Sequence, residues 1–157
     1  MRPPWRRVSA REALPAAGVL LASTGRTFTD AAIAEAARLA GGPVGGRVRV
    51  ITIARIHGTS FGLQHPGLMP NKKEKDAAQA MVAKAIKSLQ RSGLKADGEV
   101  VITRSPARSF TRAARAAGAT HVVLDNPQGG GPLTRLDTGA TARYLRFRLR
   151  DISLALV

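Results

Sequence analysis

Five short apolar runs, each parted from the next by a segment of helical period, constrain this chain more than any other feature. The runs are 18–23, 47–56, 99–103, 120–124 and 152–157. They are apolar at successive positions, as in Val19-Leu20-Leu21-Ala22, rather than alternating with polar residues. A strand apolar on both sides has to be covered on both sides, and a parallel sheet between two helical layers does this. In the first intervening segment, from about Phe28 or Asp30 to Ala40, Ile33, Ala36, Ala37 and Ala40 share one helix face, with Thr27 or Thr29 placed to cap it. The second, 72–92, repeats Ala78, Met81, Val82, Ala85 and Leu89 at helical spacing, all expected to face the core. The third opens with Ser105 as cap and Pro106 at the first helical position, turns Phe110, Ala113, Ala114 and Ala117 inward, and closes at Gly118. The fourth is expected over about 138–150.

The order β-α-β-α-β-α-β-α-β predicts an α/β fold with a five-stranded parallel sheet and helices on both faces, joined by right-handed crossovers. Ligands of such sheets sit beyond the carboxyl ends of the strands, where the strand order reverses. The loops after the first and fourth strands are therefore the candidate binding elements. The second of these reads Asp125-Asn126-Pro127-Gln128-Gly129-Gly130-Gly131. A glycine-rich link between strand and helix allows close backbone approach to a phosphate and aims helix N–H groups at it. Three adjacent glycines also suit a plain connector, and these residues alone leave both readings open.

A chain of 157 residues, 44% hydrophobic, is long enough for one domain with a real core. Without cysteine it has no disulfide framework, zinc–thiolate site or thiol nucleophile. Its 25 Lys and Arg against 10 Asp and Glu give a formal charge of +15, which attracts polyanions. Residues 1–16 form a basic arm and 17–157 the folded domain. The arm carries Arg6-Arg7 ahead of an apolar stretch, as a short export signal does, but the second half of that stretch is needed as the first strand. No run reaches the ~18 apolar residues of a membrane span.

Several motifs fail on context. Gly41–Val48 approaches a phosphate-binding loop, but Arg47 and Val48 replace its Lys and hydroxyl, and it joins helix to strand instead of strand to helix. Gly58-Thr59-Ser60-Phe61-Gly62 matches a nucleophile elbow, but Pro66 and Pro70 separate it from the next helix. His57, His65 and His121 lack metal-ligand spacing, so no metal is expected. With no catalytic set in view, the chain is expected not to be an enzyme. Two arginine stripes stand out: Arg108, Arg112 and Arg115 on the third helix, and Arg143, Arg146 and Arg150 on the last, where Leu145 and Leu149 face inward. They suggest docking on nucleic acid, a ribosome or an acidic protein, though no aromatic platform is evident among them.

From Gly18 to Val157 the chain resembles the universal stress protein family. The resemblance rests on Val19-Leu20-Leu21-Ala22-Ser23-Thr24-Gly25, on Arg104-Ser105-Pro106-Ala107, on Ala116-Ala117-Gly118-Ala119-Thr120-His121-Val122-Val123-Leu124 and on the ending Ser153-Leu154-Ala155-Leu156-Val157. It implies the strand order 3-2-1-4-5 of the adenine nucleotide alpha hydrolase-like folds. It also implies ATP or AMP as ligand, a homodimer through antiparallel pairing of the last strand, and a cytoplasmic location. The family's G-x2-G-x9-G-[S/T] motif falls on Asn126, Gly129, Gly139 and Ala140, with Thr141 the nearest hydroxyl. Its nucleoside-binding Asp corresponds to Thr24, and its backbone contact to adenine to Ile53 or Ala54. The resemblance thus implies a nucleotide held by Ala22, Ser23, Thr24, Gly25, Arg26, Ile53 and Ala54 on one side. On the other side stand Asn126, Gly129, Gly130, Gly139, Ala140 and Thr141. The expected role is regulatory or stress-protective; the alternative is a module of the same fold that binds no nucleotide and docks through its arginine surfaces.

Overall fold

The computed structural model describes residues 17–41, 46–55, 70–125 and 132–157. Strands β1 (Val19–Ser23), β2 (Arg47–Arg55), β3 (Lys95–Thr103), β4 (His121–Leu124) and β5 (Ser153–Leu156) alternate with helices α1 (Asp30–Leu39), α2 (Lys72–Arg91), α3 (Pro106–Ala117) and α4 (Pro132–Arg148). The strands form one sheet in the order β3-β2-β1-β4-β5, with every pairing parallel. The expected fold and strand order are the observed ones. The order reverses between β1 and β4, which places the switch point at the ends of those two strands.

The continuous apolar runs serve two cores. Leu20, Ala22, Ile51, Ile53, Val122 and Leu124 point to one face and meet Phe110, Ala114 and Ala117 of α3 and Ala142 and Leu145 of α4. Val19, Leu21, Val48, Val50 and Val123 point to the other and meet Ala32 and Ala36 of α1 and Val82, Ala85 and Leu89 of α2. Alanines on the helix faces that meet the sheet allow close approach, so the core is built with few aromatic side chains. Ser23, Arg49 and Thr52 are the buried polar strand positions among the described residues, and Arg49 is the charged one. Arg49 is 6% exposed, and its guanidinium reaches Asp97, its register partner on β3, through Nε–Oδ1 at 3.1 Å and a second contact at 3.4 Å.

Four boundaries and contacts differ from expectation. β3 begins at Lys95, not Glu99, because Lys95-Ala96-Asp97-Gly98 continue the ladder with β2. α4 begins at Pro132, not near Thr138, so Gly139 lies inside a helix. Ser105 occupies the cap position of α3 without a side-chain cap bond; its own N–H donates to Thr103 Oγ1 at 3.0 Å. Met81 is only partly buried, at the edge of the core. Residues 1–16, with the proposed arm, and Ser60, His57 and His65 fall outside the described residues. Among the described residues no helix is long and apolar enough to cross a membrane, and no group of His, Asp or Glu could hold a metal ion.

Candidate functional site

A cleft of about 260 Å³ opens at the carboxyl end of β1 and β2, against the first turns of α2. Thr24 and Gly25 form one side, Ile53 and Ala54 the floor, and Glu74, Ala77, Ala78 and Met81 the helix wall, with Pro70 at the entrance. The register makes this space. β1 pairs with β2 only as far as Ser23↔Thr52, whereas β3 pairs with β2 as far as Arg55↔Thr103. Beyond Thr52, the β1 side of β2 therefore has no strand partner, and its main-chain groups border the cleft. An unpaired strand edge beside an apolar wall offers hydrogen bonds to a flat polar ring.

The turn after β1 is held in shape from within. Ser23 Oγ donates to the Arg26 carbonyl at 2.7 Å and accepts from the Arg26 N–H at 3.2 Å. Gly25 has φ +87°, and its α-carbon lies so close to β2 that a β-carbon there would stand 2.7 Å from the Ile53 carbonyl oxygen. Glycine is thus required both by conformation and by contact. On the opposite wall, Asn71 and Glu74 form a capping box: Asn71 Oδ1 accepts from the Glu74 N–H, and Glu74 Oε2 accepts from the Asn71 N–H, both at 2.9 Å. This fixes the first turn of α2 and sets the Glu74 carboxylate at the cleft wall.

Asp125, 2% exposed at the end of β4, clamps the start of α1. Its Oδ2 accepts from the Thr29 N–H at 2.7 Å and its Oδ1 from the Thr29 hydroxyl at 3.2 Å, while Thr29 Oγ1 accepts from the Ala32 N–H and so caps α1. Burial pushes the Asp125 carboxyl above the ordinary carboxylate range; the two bonds from Thr29 pull the other way and do not fully offset it. The folded state therefore binds this proton more tightly than the unfolded chain does. The group's contribution to stability is greatest below its unfolded value of about 4 and declines as pH rises through the higher folded value. Asp125→Asn removes that decline. An amide can still accept from the Thr29 N–H and donate to Thr29 Oγ1, so stability at about pH 7 is expected within ~1 kcal/mol of the native chain. Urea titrations of both proteins between about pH 4 and pH 7 check this; parallel stability curves would refute the assignment.

The expected site residues thus divide. Thr24, Gly25, Ile53 and Ala54 come together in the cleft. Ala22 is fully buried in the core on the α3 and α4 face, and Ser23 and Arg26 close the turn. Asn126, Gly129 and Gly130 fall outside the described residues. Gly139 and Ala140 are exposed and Thr141 is buried within α4, all beyond the first turn of that helix. There a backbone N–H is committed to the carbonyl four residues back rather than presented to an anion. Sequence reasoning missed Pro70, Glu74, Ala77 and the cleft-facing position of Met81. The Asn-x-x-Glu of the capping box was the available signal, since it marks the α2 start that must adjoin the sheet's carboxyl edge.

The chain folds as a doubly wound parallel sheet with a cleft at the carboxyl ends of β1 and β2. More narrowly, the chain has the fold of the universal stress proteins. A member of that family from Burkholderia pseudomallei superposes with a TM-score of 0.61 at 19% identity, covering 89% of this chain and 95% of the other. The universal stress protein from Archaeoglobus fulgidus in complex with dAMP gives 0.57 at 15% identity over 89% and 96%. A universal stress protein in complex with cAMP gives 0.59 at 15% identity over 90% and 97%. No protein-family model and no curated protein matches the sequence.

Proposed function

We propose that this chain is a small regulatory or stress-protective protein that binds an adenine nucleotide, AMP or ATP, with the base in the cleft between Thr24-Gly25 and Ile53-Ala54. The observation that carries this reading is the end of β2 beyond its pairing with β1, at Ile53 and Ala54, beside a wall of Ala77, Ala78 and Met81. Such an edge matches the alternating donors and acceptors of an adenine ring. The apolar wall covers the ring's face, and a methionine sulfur adds a favourable aromatic contact. The cleft's volume is below the ~300–1,000 Å³ usual for drug-sized ligands, which suits a base or nucleoside with its phosphates outside.

Electrostatics orient the ligand. Glu74 disfavours phosphate inside the cleft. The start of α1 is already met by Asp125 and by Asp30 in its first turn, so it offers no vacant anion site. The phosphates are assigned, on sequence grounds, to the glycine-rich segment 126–131 beyond β4. Thr24 supplies a hydroxyl where the family carries an Asp, which makes the nucleoside contact a neutral hydrogen bond and the affinity modest. The proposed role is binding rather than chemistry. Related structures holding dAMP and cAMP support the choice of adenine. The edge strand β5, with Leu156 39% exposed, supports self-association by strand pairing.

Calorimetric titration with AMP, ATP and cAMP tests the reading. Heat of binding is expected below about millimolar ligand, and its absence throughout that range rejects the proposal. Ala77 is exposed on the cleft wall. Ala77→Phe fills the cleft without entering the core, so it is expected to weaken binding at least ~10-fold while leaving the unfolding midpoint near that of the native chain.

A further inference from the structure

The end of α4 carries an exposed aromatic ring among arginines. Phe147 is 64% exposed, the most exposed large apolar side chain among the described residues. The Arg150 guanidinium lies 5.3 Å from its ring centroid, and the Arg148 guanidinium lies 6.0 Å from that ring and 5.6 Å from the ring of Tyr144. Arg143, Arg146 and Phe147 share one exposed helix face with Arg150, which follows the last turn. The neighbouring helix extends this surface. Arg108, Arg112 and Arg115 are exposed along α3, and Arg115 donates to the Arg148 carbonyl at 3.1 Å, tying the two rows together. α3 contains no acidic residue, and α4 and its end contain none from Gly139 to Arg150, with Asp151 the first carboxylate after them. The ion pairs Glu35–Arg38 and Arg49–Asp97 involve none of these arginines.

We propose that this α3–α4 surface binds single-stranded nucleic acid, with phosphates on the arginine rows and a base stacked on the Phe147–guanidinium platform. A single strand presents phosphates and unstacked bases together, and every base has a face that an aromatic ring or a guanidinium plane can cover. An acidic protein would satisfy the charge but leave Phe147 unexplained. The sequence reading found no aromatic platform among the arginines; the structure supplies one at the end of the stripe. This inference goes beyond the nucleotide cleft, which lies at the other end of the sheet.

The test is fluorescence anisotropy of labelled oligouridylate and oligothymidylate of about a dozen nucleotides against the full chain, over a salt series, with polyglutamate as the acidic-protein probe. Both oligonucleotides are expected to bind, with log affinity falling in log salt by ~0.7 per phosphate engaged. Phe147→Ala is expected to weaken binding ~10-fold with the salt slope unchanged. Arg143→Glu with Arg146→Glu is expected to weaken binding and flatten the slope. Lys84→Glu with Lys87→Glu, on α2 across the sheet, is expected to change affinity less than about twofold. Polyglutamate binding as tightly as oligouridylate, an unchanged affinity in Phe147→Ala, or an equal loss in the α2 pair would each overturn the proposal.

Discussion

Replacing Gly25 by alanine is expected to cost about 2–5 kcal/mol of stability and to abolish binding in the cleft. Two independent effects add. A backbone at φ +87° holds a non-glycine residue at a penalty of roughly 1–2 kcal/mol. The new β-carbon would also stand 2.7 Å from the Ile53 carbonyl oxygen, well inside contact distance. That oxygen cannot retreat easily, because β2 remains paired with β3 through Ile53↔Val101 and beyond, and overpacking against such a fixed neighbour adds about 1–3 kcal/mol. Whichever way the strain relaxes, the turn 23–26 moves away from β2 and the space for a ring changes shape. Urea denaturation and nucleotide titration of the variant are the measurements. A variant with native stability and native affinity would show that the turn is not held as described.

Phe110→Ala is expected to destabilise the chain by about 3–5 kcal/mol. Among the described residues Phe110 is the largest fully buried side chain, and it belongs to the core that α3 and α4 form on the sheet. Its helical neighbours Ala113 and Ala114 are too small to fill its volume, and the close-packed residues around it collapse only in part. For a chain of this length a loss of that size lowers the unfolding midpoint by on the order of 10 °C. The ring lies on the face away from α2 and the cleft. The surviving folded fraction is therefore expected to bind nucleotide with native affinity when measured well below its midpoint. A midpoint within about 2 °C of the native one would mean that the α3 face is packed otherwise.

The fold was legible because its strands are apolar on both sides, a property with few structural solutions. Val19-Leu20-Leu21-Ala22 and His121-Val122-Val123-Leu124 pair in register, as their composition demands. Lys95–Gly98 were illegible for the opposite reason. Their polarity resembles a turn, yet Asp97 answers the buried Arg49, and Gly98 lies where a β-carbon would stand 2.7 Å from Val82 Cγ1 of α2. Both reasons lie in partners distant along the chain. The start of α4 was hidden because Pro132 and the Thr134-Arg135-Leu136-Asp137-Thr138 segment follow three glycines and read as a continuation of the loop, with Gly139, a poor helix former, just after. An exposed glycine within a helix costs only about 1 kcal/mol, which the rest of α4 tolerates. For the cleft, the four residues contributed by β1, β2 and the turn were legible from their place at the strand ends. The α2 wall was not, since Met81 fits the same helical stripe as the core residues beside it. Phe147 stood four positions after Arg143 in plain view, but only its exposure separates it from the buried Leu145 and Leu149.

Each helix runs back against the strands, so the last turn of α4 returns the chain to the amino end of the sheet, where β5 starts level with β4 at His121↔Ser153. The Phe147 platform at the end of α4 and the cleft wall on α2 thus lie toward opposite ends of the sheet and on opposite faces of it. A small metabolite and a polymer could be carried at once without colliding. Any influence of one upon the other would have to be relayed through the sheet itself, along β1 and β4, whose far ends Ser23 and Asp125 already fasten to the turn and to α1.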